Sequence, residues 1–69
     1  MKLKELPVKY SLKNMKFINP KTGNICYWDS HKNHKDNSFI WYKLDPNDMM
    51  VYPLIMDNIF DALELEIVQ

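Results

Sequence analysis

Apolar and polar residues alternate in short runs over most of this chain, and turn-forming residues separate one run from the next. Successive side chains of a β-strand point to opposite faces, so this alternation is typical of half-buried strands. After residues 1–7, which form either a frayed arm or a single helical turn, Val8, Tyr10 and Leu12 alternate with lysine and serine. The pattern predicts a first strand in that region.

A β-hairpin is predicted where the apolar runs 15–19 and 24–28 flank the sequence NPKTGN. The side chain of Asn19 can accept a hydrogen bond from the backbone that follows it, and Pro20 fixes φ at the first corner. Gly23 tolerates the positive φ that closes such turns. We therefore expect the chain to reverse direction between these two runs.

A second hairpin is predicted between residues 39–44 and 49–54, which flank the sequence DPND. Asp45 is placed to cap the turn, and Pro46 fixes its corner. Both faces of these runs are apolar, whereas a free-standing antiparallel sheet normally has one apolar and one polar face. Either the sheet curls into a barrel covered by the N-terminal strand and C-terminal helix, or the second face is left exposed to a partner.

The C-terminal segment fits two periods. A helical stripe of apolar side chains extends from Met56 to Ile67, whereas apolar residues and glutamates alternate over 63–67 as in a strand. We favour a short helix that Asp57 caps and that ends near Leu63, with a strand after it to Val68. A continued helix would place glutamates at the negative end of its dipole, which is unfavourable. The alternative is one continuous helix of about three turns.

This order of elements predicts an α+β fold, namely a small antiparallel β-sheet or a partly open SH3-like barrel, of about five strands with one short C-terminal helix. Residues 1–69 are expected to form a single domain. Folding at this size buries only about 60% of the surface of the unfolded chain, so stability is marginal. A partner subunit often supplies the missing burial, and we expect a homodimer or a chain that folds fully against a partner.

Composition excludes several classes of function. The formal net charge is zero, which removes the general attraction to nucleic acid and anionic lipid. There is no arginine and a single glycine, so a bidentate or glycine-rich phosphate site is excluded. The longest apolar stretch, 49–56, is far short of the roughly 20 residues that span a bilayer. With one cysteine and no signal peptide pattern, we expect a cytoplasmic protein.

The sequence CYWDSHKNHKDN, residues 26–37, raises the question of a metal or catalytic site. The candidate groups are Cys26, Asp29, His31, His34 and Asp36. A structural zinc site normally uses two pairs of ligands, and this chain has no second pair of cysteine or histidine residues. A chain this short also rarely encloses a pocket that excludes water. We interpret residues 29–37 as a solvated loop and predict no metal, no cofactor and no enzymatic activity.

The hairpin strands contain a second cluster, composed of aromatic side chains. Tryptophan, tyrosine and methionine are enriched at the centres of protein interfaces. We predict that these aromatic side chains contact a partner, with the two histidines on the rim. The predicted partner-binding residues are Trp28, Trp41, Tyr42, Tyr52, His31 and His34.

These patterns favour a small non-enzymatic protein-interaction module that acts by occlusion. A composition rich in lysine and asparagine, without active-site residues, is common among accessory proteins of phages and mobile elements, including inhibitors of host or defence proteins. One alternative is a small-ligand or nucleotide-sequestering protein with an intersubunit pocket. Another is single-stranded nucleic-acid binding by base stacking, which the scattered lysines make the least favoured.

Overall fold

One antiparallel β-sheet forms the body of the protein in the computed structural model, which describes residues 1–7 and 11–68. Its strands are β1 Lys16–Ile18, β2 Ile25–His34, β3 Asn37–Lys43, β4 Tyr52–Met56 and β5 Ile67–Val68. They lie in the order β4-β3-β2-β1-β5. A 3-10 turn spans Leu3–Glu5, and helix α1 spans Ile59–Leu63.

The sheet is open, with β4 and β5 as its edges in the order of the named strands. The prediction of a small α+β fold built on an antiparallel sheet with one short helix is therefore confirmed. The SH3-like barrel is not confirmed. The strand predicted from Val8 falls largely on residues 8–10, outside the described residues, and neither Ser11 nor Leu12 belongs to a strand.

The first predicted hairpin is confirmed. Phe17 of β1 lies opposite Cys26 of β2, and both side chains are buried. The side chain of Asn19 accepts a hydrogen bond from the backbone of Lys21 at 2.9 Å, and the Asn19 carbonyl accepts one from Gly23 at 2.7 Å. Gly23 has a φ of 77°, a conformation that costs other residues energy and that the turn requires.

The second hairpin forms, but its turn is longer than predicted. Tyr42 pairs with Tyr52, so the connection covers residues 44–51. Met49, where the second strand was predicted to begin, lies in this connection and is 98% exposed. This register places Leu54 opposite Ile40 inside the core, and burial on one face of a sheet fixes the register. Asp45 does cap the turn, because its carboxylate accepts a hydrogen bond from the backbone of residue 47 at 2.9 Å.

The solvated loop predicted at residues 29–37 is wrong. Strand β2 continues through His34, and a tight turn at Lys35 and Asp36 leads directly into β3. Lys35 adopts a φ of 55°, as hairpin turns of two residues require. Pairing with β3 satisfies the backbone groups on one edge of this polar segment, so it forms a strand without apolar side chains of its own. A β-bulge at Asp29 shifts the register between Trp28 and Ser30.

The C-terminal segment is a short helix followed by a strand, as predicted. The predicted capping residue is wrong by one position, because the side chain of Asn58, not Asp57, accepts the hydrogen bond from the backbone of Phe60, at 2.8 Å. Helix α1 ends at Leu63, and β5 then pairs with β1. The strand register buries Ile67, and the preceding Leu65 is also buried.

The core lies on the face of the sheet that α1 and the 3-10 turn cover, which we call the inner face. Phe17 makes edge-on contacts with Trp28 and Tyr42, at ring-centroid distances of 5.6 and 6.2 Å. Leu3, Leu6 and Leu12 pack against the same cluster from the N-terminal side. The buried apolar residues are Phe17, Cys26, Trp28, Ile40, Leu54, Ala62, Leu65 and Ile67.

The N-terminal segment is held by Glu64, whose two carboxylate oxygens accept hydrogen bonds from Lys2 and Lys4 at 2.6 Å each. These contacts, first that with Lys2 and then that with Lys4, lower the pKa of Glu64 from 4.5 to about 2. Since the folded pKa is the lower one, the stabilisation is complete above pH 4.5 and is lost as the pH falls toward 2.

We therefore expect Glu64→Gln to reduce the dependence of the urea unfolding midpoint on pH over this acidic window. Glu5→Gln is the control, because it removes the same charge nearby and leaves both lysine contacts of Glu64 in place. Added salt should weaken the effect, since the groups are exposed. Identical acid dependence in the wild type and Glu64→Gln would contradict this assignment.

Candidate functional site

The opposite side of the sheet, which we call the outer face, exposes a group of apolar side chains. Phe39 pairs with Ile55 and Trp41 pairs with Pro53, so the four lie together across β3 and β4. We call Phe39, Trp41, Pro53 and Ile55 the outer patch. Trp41 is 37% exposed and Ile55 is 41% exposed. An exposed cluster of apolar side chains of this kind is typical of a binding surface.

The loop between β3 and β4 extends the apolar surface. It begins and ends next to the two strands that carry the outer patch. Four of its apolar side chains are exposed, namely Leu44, Met49, Met50 and Val51. Methionine is flexible and polarizable, so it adapts to the shape of a contacting surface.

The elements outside the sheet pack on the inner face and leave the outer patch open, within the residues that the structure describes. Helix α1 contacts β3, β4 and the 3-10 turn. The side chains that support the core from outside the sheet include Leu3, Leu6 and Leu12, and each contacts the buried cluster. The apolar second face was expected either to be covered by the N-terminal strand and the C-terminal helix or to be exposed to a partner. The outer patch is exposed.

The structure divides the predicted partner-binding residues between the two faces. Trp28 is only 2% exposed and belongs to the core, so its side chain is not available to a partner. His31 packs edge-on against Trp28 at 5.3 Å. Tyr42 and Tyr52 are half-buried on the inner face, with ring centroids 5.8 Å apart.

Trp41 and His34 are the two predicted residues on the outer face. His34 pairs with Asn37 at the far end of the β2–β3 hairpin, at the rim of the face. The three other members of the outer patch were missed by sequence reasoning. Phe39 could have been found from the sequence, because Phe39 and Trp41 are two residues apart in one strand and therefore share a face. Pro53 and Ile55 could not, because only the register of β4 brings them beside Phe39 and Trp41.

Lysines border the outer patch on β3 and on the side of β2 and β1. The outward positions of β1, β2 and β3 include Lys16, Lys32 and Lys43, as the pairing of these strands shows. The carboxylate of Asp29, at the bulge, is hydrogen-bonded to Lys13 and lies 3.8 Å from Lys43. The hydrogen bond from Lys13, and then the positive charges of Lys13 and Lys43, lower the pKa of Asp29.

Among the described residues, no group of three histidine, cysteine, aspartate or glutamate side chains is arranged to hold a metal ion. Cys26 is buried opposite Phe17, and this burial raises the pKa of its thiol. A buried thiol with a raised pKa is a poor nucleophile and a poor metal ligand. His31 and His34 occupy inner and outer positions of β2 and therefore do not converge.

A groove of about 310 Å³ lies on the inner face, between α1, the N-terminal segment and the β2–β3 hairpin. Its lining is mainly apolar. The residues that line it are Leu3, Leu12, Trp28, His31, Asn33, Ser38, Ile40, Ala62 and Leu63.

Comparison with models of known protein families, with curated proteins and with solved structures finds no match for this chain. No helix in the described ranges has the length and apolar character needed to cross a membrane. Exposed apolar side chains and lysines lie together on the outer face, which is therefore the candidate binding surface.

Proposed function

We propose that this protein is a non-enzymatic interaction module that binds another protein through the outer patch and acts by occlusion. The single observation that carries the proposal is the exposed apolar cluster around Trp41, on the side of the sheet opposite the core. Tryptophan is among the residues that contribute most to binding when they are buried at the centre of an interface.

The arrangement matches the usual anatomy of an interface. Trp41 lies between the rows of the sheet that contain Phe39 and Lys43, with Pro53 beside it on β4, and lysines border this apolar group on the side of β2 and β1. An apolar centre with a polar rim is the general pattern of protein interfaces. The loop at 44–51 adds methionines that adapt to the partner.

The biological setting that we propose is a cytoplasmic accessory protein of a phage or mobile element that inhibits a host or defence protein. Support for the setting comes from composition, with many lysines and asparagines and a single glycine. Support for inhibition by occlusion comes from the outer patch, since a rigid sheet face is suited to covering a surface of its target.

The test is capture of partners from cells of the natural source with the tagged protein and two variants. Trp41→Ala should reduce recovery of a stoichiometric partner about 30-fold, the equivalent of about 2 kcal/mol for a central interface residue. Leu63→Ala is the matched control, because this exposed side chain lies on α1, by the inner groove. Equal recovery with Trp41→Ala and the wild type would overturn the proposal.

A further inference from the structure

We propose that the segment that binds the outer patch is acidic, with carboxylates on both sides of an apolar residue that packs against Trp41. The inference rests on the proposed function and adds the chemistry of the partner. It follows from the charges that the fold gathers on the outer face, which the scattered positions of the lysines in the sequence do not reveal.

Most charged side chains in the strands of the outer face are positive. The outward positions of β1 to β4 contain the three lysines Lys16, Lys32 and Lys43, and Asp29 is the one carboxylate among these strands. The carboxylate of Asp29 already forms ion pairs with Lys13 and Lys43. Lys16 and Lys32 take part in none of the ion pairs between described residues. Their charges are therefore available to a partner.

The strand register fixes the spacing of these charges. Lys32 pairs with Phe39, and Lys43 pairs with Tyr27, which in turn pairs with Lys16. The row of Trp41 lies between these two rows. Phe39 and Lys43 are four positions apart along β3. This spacing corresponds to about 13 Å at about 3.3 Å per residue. An extended partner with acidic residues about four positions apart, and an apolar residue between them, matches this spacing.

A protein fits this surface better than single-stranded nucleic acid does. Nucleic-acid platforms stack successive bases on aromatic rings beside a continuous basic groove. Among the described residues of this face, Trp41 is the one exposed tryptophan, tyrosine or phenylalanine, and Pro53 and Ile55 offer no aromatic ring for stacking.

A second copy of the chain is also a poorer fit for the outer face. A symmetric dimer brings the same face of both subunits together. Such a contact would place the lysine-bearing outer faces against each other, and Asp29, the one carboxylate among their strands β1 to β4, is already paired with Lys13 and Lys43. An acidic partner removes this repulsion and gains steering during association.

The test is selection of random peptides by the immobilised full chain, followed by affinity measurements on the selected peptides at low and high salt. We expect peptides with Asp or Glu on both sides of an apolar residue. Their affinity should fall about fivefold in the double variant Lys16→Gln/Lys32→Gln, equivalent to two weak surface pairs, and should become less sensitive to salt. The control is Lys21→Gln/Lys35→Gln, which removes the same charge from the two turns.

The outcomes separate the two proposals. Peptides without acidic residues that still depend on Trp41 would overturn the inference and leave the proposed function standing. Equal effects of the two double variants would also overturn the inference. Binding of oligothymidylate that depends on Trp41, with no peptide selected, would overturn both proposals in favour of nucleic acid. Loss of the acidic peptides in Trp41→Ala, with retention in the control variant, supports both.

Discussion

Trp28→Ala is expected to unfold the protein at room temperature. The indole is 2% exposed and packs against Phe17 and His31 at ring-centroid distances of 5.6 and 5.3 Å. Truncation of a buried tryptophan costs about 3–5 kcal/mol. A core of this size supplies a net stability of only about 3–5 kcal/mol. Circular dichroism and urea titration should therefore show little or no cooperative unfolding transition.

Trp41→Ala is the matched control, because it removes the same side chain from the opposite face. Trp41 is 37% exposed and does not belong to the buried core, so its truncation should destabilise the fold less than that of Trp28, and the variant should stay folded. The remaining indole, Trp28, should then report a buried environment by its fluorescence. If Trp41→Ala also abolishes the folded state, Trp41 is a structural residue and the outer patch is not a free binding surface.

Leu54→Ala is the second substitution with a large expected effect. Leu54 is 2% exposed and pairs with Ile40 on the inner face of the sheet. Loss of a buried leucine side chain costs about 2–5 kcal/mol, which is comparable with the whole stability expected for a chain of this length. The urea midpoint should fall steeply or the transition should disappear.

Ile55→Ala tests the same strand on its other face. Ile55 is 41% exposed in the outer patch, so its truncation should cost less than about 1 kcal/mol while weakening partner binding. The contrast between adjacent positions follows from the register of β4, since a slip by one residue would exchange the two faces. Equal losses of stability in the two variants would show that this register is wrong.

The predictions from sequence succeeded where local signals act alone. The turn at Asn19 and Gly23 formed as expected, because its hydrogen bonds and its positive φ depend on residues close together in the chain. The short C-terminal helix and the strand after it were also predicted, because Glu64 and Glu66 would be unfavourable at the C-terminus of a continued helix. In these segments the local preference and the final fold agree.

The predictions failed where pairing with a distant segment decides the structure. The polar run that ends at His34 has no apolar pattern of its own, and it becomes a strand because β3 satisfies its backbone. The turn of the second hairpin lengthened because β4 pairs in the register that buries Leu54. Neither contact is visible from the composition of the segment itself.

The sequence by itself determined that both faces of the hairpin strands are apolar and that the fold is an antiparallel sheet with a short helix. It did not determine which aromatic residues are buried. Trp28 and Trp41 look equivalent along the chain, and the tertiary structure places one in the core and the other outside. The physical reason is that α1 and the N-terminal segment cover one face of the sheet, and the register between strands assigns each side chain to that face or the other.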